Sequence, residues 1–326
     1  MKAIVQDRYG PADVLRLGDV EPPVAAAGEV LVRVHAASVN ARDWHVMRGD
    51  PYLARLAFGL SAPKVRVRGT DFAGVVEAVG AGVTRFRPGD EVFGESDAAF
   101  AEYVRVSETG ALEAKPANLT LEQAAALPLA ANTALMGLRD AAGLRAGQHV
   151  LINGASGGVG TFAVQLAKAF GARVTAVCST RNLDLVRSLG ADRVIDYTKE
   201  DFARAGEARY DVVFDLVGNR SLADCRRVLA PGGTVVLSGG GVFEGGSLFG
   251  PMGLLTRGRL VSRFVRHRVL VLTAVPSREN LATLRELAES GALTPVIDRT
   301  FPFGEAVQAV RYLEVDHARA KVVITV

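Results

Sequence analysis

The chain has 326 residues, 49% of them apolar, and a formal net charge of +3 in which 38 basic side chains are interspersed with 35 acidic ones. That length buries a large core and suits two domains, and the small, scattered charge argues against nucleic acid as a partner. No apolar run reaches the ~18 residues of a membrane span, no secretory signal is visible, and the two cysteines, Cys178 and Cys225, make no disulfide framework, so a cytoplasmic protein is expected.

Residues 1 to about 120 read as short strands punctuated by Gly and Pro: Lys2–Gln6, Val30–Ala36, Asp71–Val79, Glu91–Phe93 and Phe100–Val106. A helical pattern begins at Leu121, and strands then alternate with helices. The strands are His149–Asn153, Arg173–Cys178, Arg193–Asp196, Asp211–Leu216 and Thr234–Ser238. That alternation is the signature of a doubly wound parallel sheet, an α/β architecture. A Gly-rich apolar segment over 240–255 and a basic run over 257–268 follow. The run reads as a solvated face, an interface or a channel wall. A strand over Val269–Ala274 and a helix over Ser277–Ser290 come next. The tail, 294–326, reads as strand, helix, strand and as a return to the first domain. The expected division is 1–122 with 294–326 for the substrate domain and 123–293 for the nucleotide-binding domain.

Between the strand His149–Asn153 and the helix that follows lies Gly154-Ala155-Ser156-Gly157-Gly158-Val159-Gly160. Strand, glycine turn, helix is the order that presents backbone N–H groups and a positive helix end to a pyrophosphate. About 20 residues past such a turn, an NAD site usually carries an acid for the ribose 2′-hydroxyl. Here Cys178, Ser179, Thr180 and Arg181 stand instead. Two hydroxyls and a guanidinium suit a 2′-phosphate, so NADPH is expected over NADH. Ser179 and Thr180 also read as caps of the next helix.

The stretches Arg68–Gly74, Arg87–Val92, Phe100–Val104 and Ala230–Gly233, with the glycine turn, resemble the medium-chain dehydrogenase/reductases over nearly the whole chain. The chain is most similar to their zinc-free quinone oxidoreductase branch. The resemblance implies a GroES-like β-barrel domain, a Rossmann domain with a cleft between them, and a homodimer joined by pairing the Rossmann sheets. Zinc-dependent relatives carry Cys where this chain has Asn40 and His where it has Thr70. No Cys precedes residue 178, and the five histidines lack ligand spacing, so no metal site is expected. Without a Lewis acid, hydride delivery to an already electrophilic acceptor is the expected chemistry.

Asn40 and Asp43 match family positions on the nicotinamide side of the cleft. Asn40 reads as a hydrogen-bond partner of a substrate carbonyl or of the coenzyme ribose, or as a turn residue. Asp43 reads as an orienting group or as a proton donor, and Asn40, Asp43 and Tyr52 are the expected catalytic residues. Tyr52 reads as a proton donor to an enolate or hydroquinone oxygen, or as packing, and Trp44 as an apolar wall. For the coenzyme, the resemblance implies contacts from Thr133 near the nicotinamide and from Ser156, Gly157, Gly158 and Val159 at the pyrophosphate. It implies Tyr197 at the adenosine end, and Val217, Ser238 and Gly239 at strand ends. Lys321 matches a family Gly-Lys pair, with Ala320 in the glycine's place. The expected function is NADPH-dependent hydride transfer to a quinone or an α,β-unsaturated carbonyl. An enoyl-thioester reductase and a non-catalytic NADPH-binding or sensing protein are the alternatives.

Overall fold

Strand β3, Glu29–Val39, carries Val, Ala and Leu in a pattern of buried and half-buried positions, and it is long enough to be shared by three partners. The structure, a computed structural model, describes residues 1–204, 209–238, 267–315 and 318–326. They fall into two compact units, 1–132 with 276–326, and 133–238 with 267–275. Gly239 and residues 240–266, for which contacts and a channel or interface are expected, lie outside the described residues.

In the first unit β1 (Lys2–Gln6) pairs antiparallel with β2 (Leu15–Asp19). Along the chain there follow β3, α1 (Ala41–Arg48), α2 (Arg55–Phe58), β4 (Asp71–Val79), β5 (Glu91–Glu95), β6 (Tyr103–Ser107), β7 (Leu112–Ala114) and α3 (Leu121–Ala125), and the strands among them build the main sheet. One edge of β3 takes β6 over its N-terminal half and β15 (Lys321–Thr325) over its C-terminal half, while β4 runs along the other edge. The strand order is β14-β15-β3-β4-β5-β7, with β14 at Ile297–Pro302, and every pairing is antiparallel except β14 with β15. This is the GroES-like sheet. Val32, Val34, Phe72, Val92 and Leu112 pack on one another inside it. The expected strand from Phe100 starts at Tyr103, because Phe100 and Ala101 turn aside to bond Arg68 and bridge Ala3.

Helix α4 (Pro128–Leu135) starts in the first unit, whose first stretch ends at Asn132, and the second unit continues from it through a π-helical segment, Met136–Ala142. The strands are β8 (His149–Asn153), β9 (Arg173–Cys178), β10 (Arg193–Asp196), β11 (Tyr210–Asp215), β12 (Leu229–Leu237) and β13 (Arg268–Val271). Between them lie α5 (Gly158–Ala169), α6 (Leu183–Ser188) and α7 (Leu222–Arg227); α8 (Arg278–Glu289) and α9 (Ala306–Val315) belong to the first unit. All six strands are parallel, in the order β10-β9-β8-β11-β12-β13. That is the doubly wound order with its switch point between β8 and β11, where ligands sit beyond the carboxyl ends of the strands. β12 starts five residues before the expected Thr234 because Leu229 pairs with Tyr210 across an irregular register. Cys178 and Cys225 are free and buried. Among the described residues no helix is long and apolar enough to cross a membrane.

Candidate functional site

Register alone gathers ionisable side chains in the first unit. Ser38 pairs with Asp71 across β3 and β4, Asp71 with Glu95 across β4 and β5, and β15 opens with Lys321 beside the end of β3. The chain then turns into α1, and Asp43 folds back onto the turn. Its Oδ2 accepts the Asn40 backbone N–H at 2.8 Å and its Oδ1 accepts the Thr70 hydroxyl at 2.9 Å. The Asn40 amide donates to Asp71 Oδ2 at 2.9 Å and to the Ser38 carbonyl at 3.2 Å, and its Oδ1 accepts from Lys321 Nζ at 2.5 Å. Lys321 Nζ lies 3.7 Å from Asp71 Oδ2. Asp71 Oδ1 accepts the Leu129 N–H in the first turn of α4 at 3.1 Å, a favourable place for a carboxylate.

Burial dominates the electrostatics of this cluster. It pushes Glu95 up to about 8, with the neighbouring Asp71 charge adding to the effect and Arg42 opposing it. Neither Glu95 oxygen has a well-formed hydrogen bond, although the Asn132 amide favours the ionised form. Asp43 is pushed up to about 6 by burial, against the hydrogen bond from the Asn40 backbone. Burial also raises Asp71 and lowers Lys321, while the attraction between the two opposes both shifts. At neutral pH Glu95 therefore holds a proton, and Lys321 Nζ is the nitrogen of a basic side chain seated on Asn40 and beside Asp71. Among the described residues no group of three or more His, Cys, Asp or Glu is arranged to hold a metal ion. A cation seeking the Asn40 and Asp71 oxygens would have to displace Lys321.

The second unit offers a cradle for a diphosphate. Gly154 has φ +87°, open to glycine, and a Cβ on Gly160 would stand 2.1 Å from the Gly154 carbonyl oxygen. A Cβ on Gly157 would meet only that carbonyl, at 3.5 Å, so the mouth of the turn is open space. The first-turn N–H groups of α5, Gly158 and Val159 among them, have no acceptor inside the helix and point outward. Asn182 donates to Ser156 Oγ at 3.0 Å and Ser179 Oγ at 3.2 Å, and its own Oδ1 is buried without a partner. At the switch point Asn153 donates to Asp215 Oδ1 at 2.9 Å, and the same oxygen accepts the Val217 N–H at 3.1 Å. The Ser238 N–H donates to the Asp215 carbonyl at 3.0 Å. Backbone donors, an open turn and unpartnered buried oxygens fit a dinucleotide.

One expectation is corrected at the rim of this cradle. No carboxylate is expected near Ser179, Thr180 and Arg181, yet parallel register sets Asp196 beside Cys178, and the Thr180 hydroxyl donates to Asp196 Oδ2 at 2.6 Å. That hydrogen bond, with those from Thr198, holds Asp196 down to about 2. The acid was hidden because it comes from the next strand rather than the end of β9. Ser179 precedes the short 3₁₀ turn Thr180–Asn182 without a side-chain cap, so only the backbone marks that helix start.

The structure thus brings Asn40, Asp43 and Lys321 together in the first unit, and Ser156 and Ser179 together through Asn182 in the second. Tyr52 is 44% exposed on a 3₁₀ turn, its ring 4.6 Å from the Arg55 guanidinium, and it does not bond to the cluster. Thr133 is buried in α4, and Tyr197 is exposed just after β10. Asp71, Glu95, Ser38 and Asn182 are site residues that the sequence pattern did not single out. The signal available was strand alternation, which puts Asp71 and Glu95 in one row only once the register is known.

Residues 26–116 match the alcohol dehydrogenase GroES-like domain and residues 189–324 the zinc-binding dehydrogenase domain. A 2-methylene-furan-3-one reductase of Solanum lycopersicum is 38% identical, over 99% of this chain and 79% of its own length. The chain belongs to the medium-chain dehydrogenase/reductase family. Within it the chain falls in the quinone oxidoreductase-like branch. The chloroplastic NADPH-dependent alkenal/one oxidoreductase of Arabidopsis thaliana is 37% identical over 99% of the chain and 79% of its own length. The quinone oxidoreductase structure from Coxiella burnetii superposes with a TM-score of 0.88 at 34% identity, covering 100% of this chain and 99% of that one. In this medium-chain reductase, Asn40 Oδ1 accepts from Lys321 and the Thr70 hydroxyl donates to Asp43, so each is engaged by a neighbouring side chain.

Proposed function

We propose that this protein is an NADPH-dependent oxidoreductase that reduces a conjugated enone or a quinone without a metal ion. The observation that carries the reading is Lys321 Nζ seated on Asn40 Oδ1 and beside Asp71, which fills with a protein side chain the position where a Lewis acid would have to act. The relatives named for alkenal, enone and quinone reduction support the acceptor class, and the name of the Arabidopsis relative supports NADPH. The glycine turn and α5 take the diphosphate, and Arg181 with Ser179 takes the 2′-phosphate, against the opposing charge of Asp196. A bound reduced nicotinamide supplies the hydride. The acceptor carbon conjugated with the carbonyl receives it, and a proton at the carbonyl oxygen or its α-carbon completes the reduction. The acid cluster keeps Asn40 and Thr70 in fixed orientation at the acceptor side.

The two buried free cysteines accord with the reducing cytoplasm we assign to it. The homodimer that the family resemblance implies is measured by light scattering. The test of function is oxidation of NADPH by purified protein with 3-penten-2-one and with 1,4-benzoquinone, each with and without a zinc chelator. Oxidation with at least one acceptor, faster than with NADH and unaffected by chelator, is expected. Silence with both acceptors, or activity that a chelator abolishes and zinc restores, overturns the reading.

A further inference from the structure

Next to the buried cluster, a recess opens in the first unit between α1, the segment before β4 and the loop after β5. It is lined by Arg42, Asp43, Val46, Arg68, Thr70 and Asp97, among others, and holds about 240 Å³ of space between atoms, its mouth included. Much of that space is open to solvent, so the recess admits the end of one functional group and not a whole ligand.

Two guanidinium groups face this one recess, and they are held differently. Arg68 is only 6% exposed; one of its terminal nitrogens donates to the Val65 carbonyl, and its Nε has no partner. No carboxylate lies within ion-pairing distance of Arg68 among the described residues. Burial and the Arg42 charge both disfavour its cation, and Asp43 and Asp97 favour it only from further off. Arg42 is half-buried. It donates to Asp97 Oδ1 at 3.2 Å and, weakly, to Thr70 Oγ1 at 3.4 Å. Asp97 is 64% exposed, so this pair is solvent-screened and exchangeable. A buried guanidinium with an unpartnered Nε, next to a second cation whose own partner is loose, is an arrangement that lacks an anion. A planar two-oxygen anion satisfies two forks at once, which a single charge does not.

We infer that this recess binds the carboxylate of the substrate, so that the acceptor is an enone bearing an acid group. The inference rests on the reduction proposed above and narrows its substrate. A singly charged carboxylate suits the site better than a phosphate dianion, because Asp43 also lines it. On binding, the carboxylate takes the Arg68 Nε–H and displaces Asp97 from Arg42.

Two measurements test it. Binding is read by calorimetry with levulinate, which carries the ketone and the acid but no reducible double bond, against its methyl ester. Turnover is read as the ratio of kcat/KM for 4-oxo-2-pentenoate to that for its methyl ester. Levulinate should bind about tenfold or more tighter than the ester, and the turnover ratio should favour the acid by about the same factor. Arg42→Gln should bring both preferences towards one. Asp97→Asn, which releases Arg42, should raise them several-fold; it is an exposed position, and it keeps the test open if Arg68→Met does not fold. Equal binding of acid and ester, or a preference that neither Arg42→Gln nor Asp97→Asn moves, overturns the recess assignment. Levulinate binding that Arg42→Gln abolishes, in a protein that reduces none of the enones, upholds the recess and overturns the reduction instead.

Discussion

Lys321 is the residue that the acid cluster cannot lose. It is 1% exposed, its Nζ sits on Asn40 Oδ1, and Asp71 faces it. Removing one partner of a buried ion pair strands the other charge and costs about 3–5 kcal/mol. Lys321→Met should therefore lower the free energy of urea unfolding by that amount, and Asp71→Asn in the same chain should recover a large part of it. Additive losses in the double variant would sink the coupling. The residue before it carries a smaller strain. Ala320 has φ +55°, a left-handed conformation that costs a residue with a Cβ roughly 1–2 kcal/mol. Glycine removes that cost but gives up unfolded-state entropy, so Ala320→Gly should stabilise by roughly 0.5–1 kcal/mol. Thermal unfolding that is unchanged or earlier would contradict this. Lys321 was readable in sequence only as half of a family pair, and its role was not. A lysine 250 residues from Asp71 in the chain becomes its neighbour through strand pairing, which composition and periodicity do not encode.

Where strands meet loops, local pattern and long-range register divide the credit. β8, the glycine turn and β9 were legible because each is a short apolar run with its own punctuation, and β9 falls on the expected Arg173–Cys178. The turn depends on close approach. A Cβ on Gly160 meets the Gly154 carbonyl oxygen at 2.1 Å and the Ala155 backbone at 2.7 Å, so Gly160→Ala has to move α5 off the turn. Overpacking of this kind costs about 1–3 kcal/mol. We expect lower stability together with a coenzyme Kd raised more than tenfold in calorimetry; unchanged coenzyme affinity would show that the turn does not carry the diphosphate. In the proposed reading, the ends of β9 and β10 decide between coenzymes. Arg181→Glu should weaken NADPH far more than NADH, and Asp196→Asn should strengthen NADPH by removing a fixed negative charge beside Thr180. Equal loss of both coenzymes in Arg181→Glu refutes the 2′-phosphate assignment. Asp196 itself was missed because the expected acid position lies at the end of β9, and the observed acid arrives from the neighbouring strand.

Burying acids in the first unit makes the protein's stability depend on pH in an unusual direction. An acid with a depressed pKa lends stability that is lost on acidification; Glu95 does the reverse. Its folded value of about 8 lies above the ordinary 4.5, so the folded state binds more protons than the unfolded chain between those limits. Its stabilising contribution is complete below about 4.5, falls progressively as pH rises and is gone once the folded carboxyl ionises near 8. Asp43 acts in the same sense between 3.8 and about 6. Asp71 adds to this loss, and Lys321, lowered by burial, opposes it on the alkaline side. The Arg42 charge also faces Glu95 and favours its ionised form, so it limits the loss without changing its sign. For Glu95 the swing is on the order of a few kcal/mol, or several degrees in Tm for a unit of this size. The wild-type Tm should therefore fall between pH 6 and 9, and Glu95→Gln, which keeps the shape without the titration, should flatten that fall by about half or more. An infrared carboxylic-acid band that persists at pH 7 and disappears in Glu95→Gln identifies the proton directly. A band already absent at pH 6, or an unaltered pH slope in the variant, would mean that Glu95 ionises inside the fold and that some other group, most readily Asp43, governs the slope.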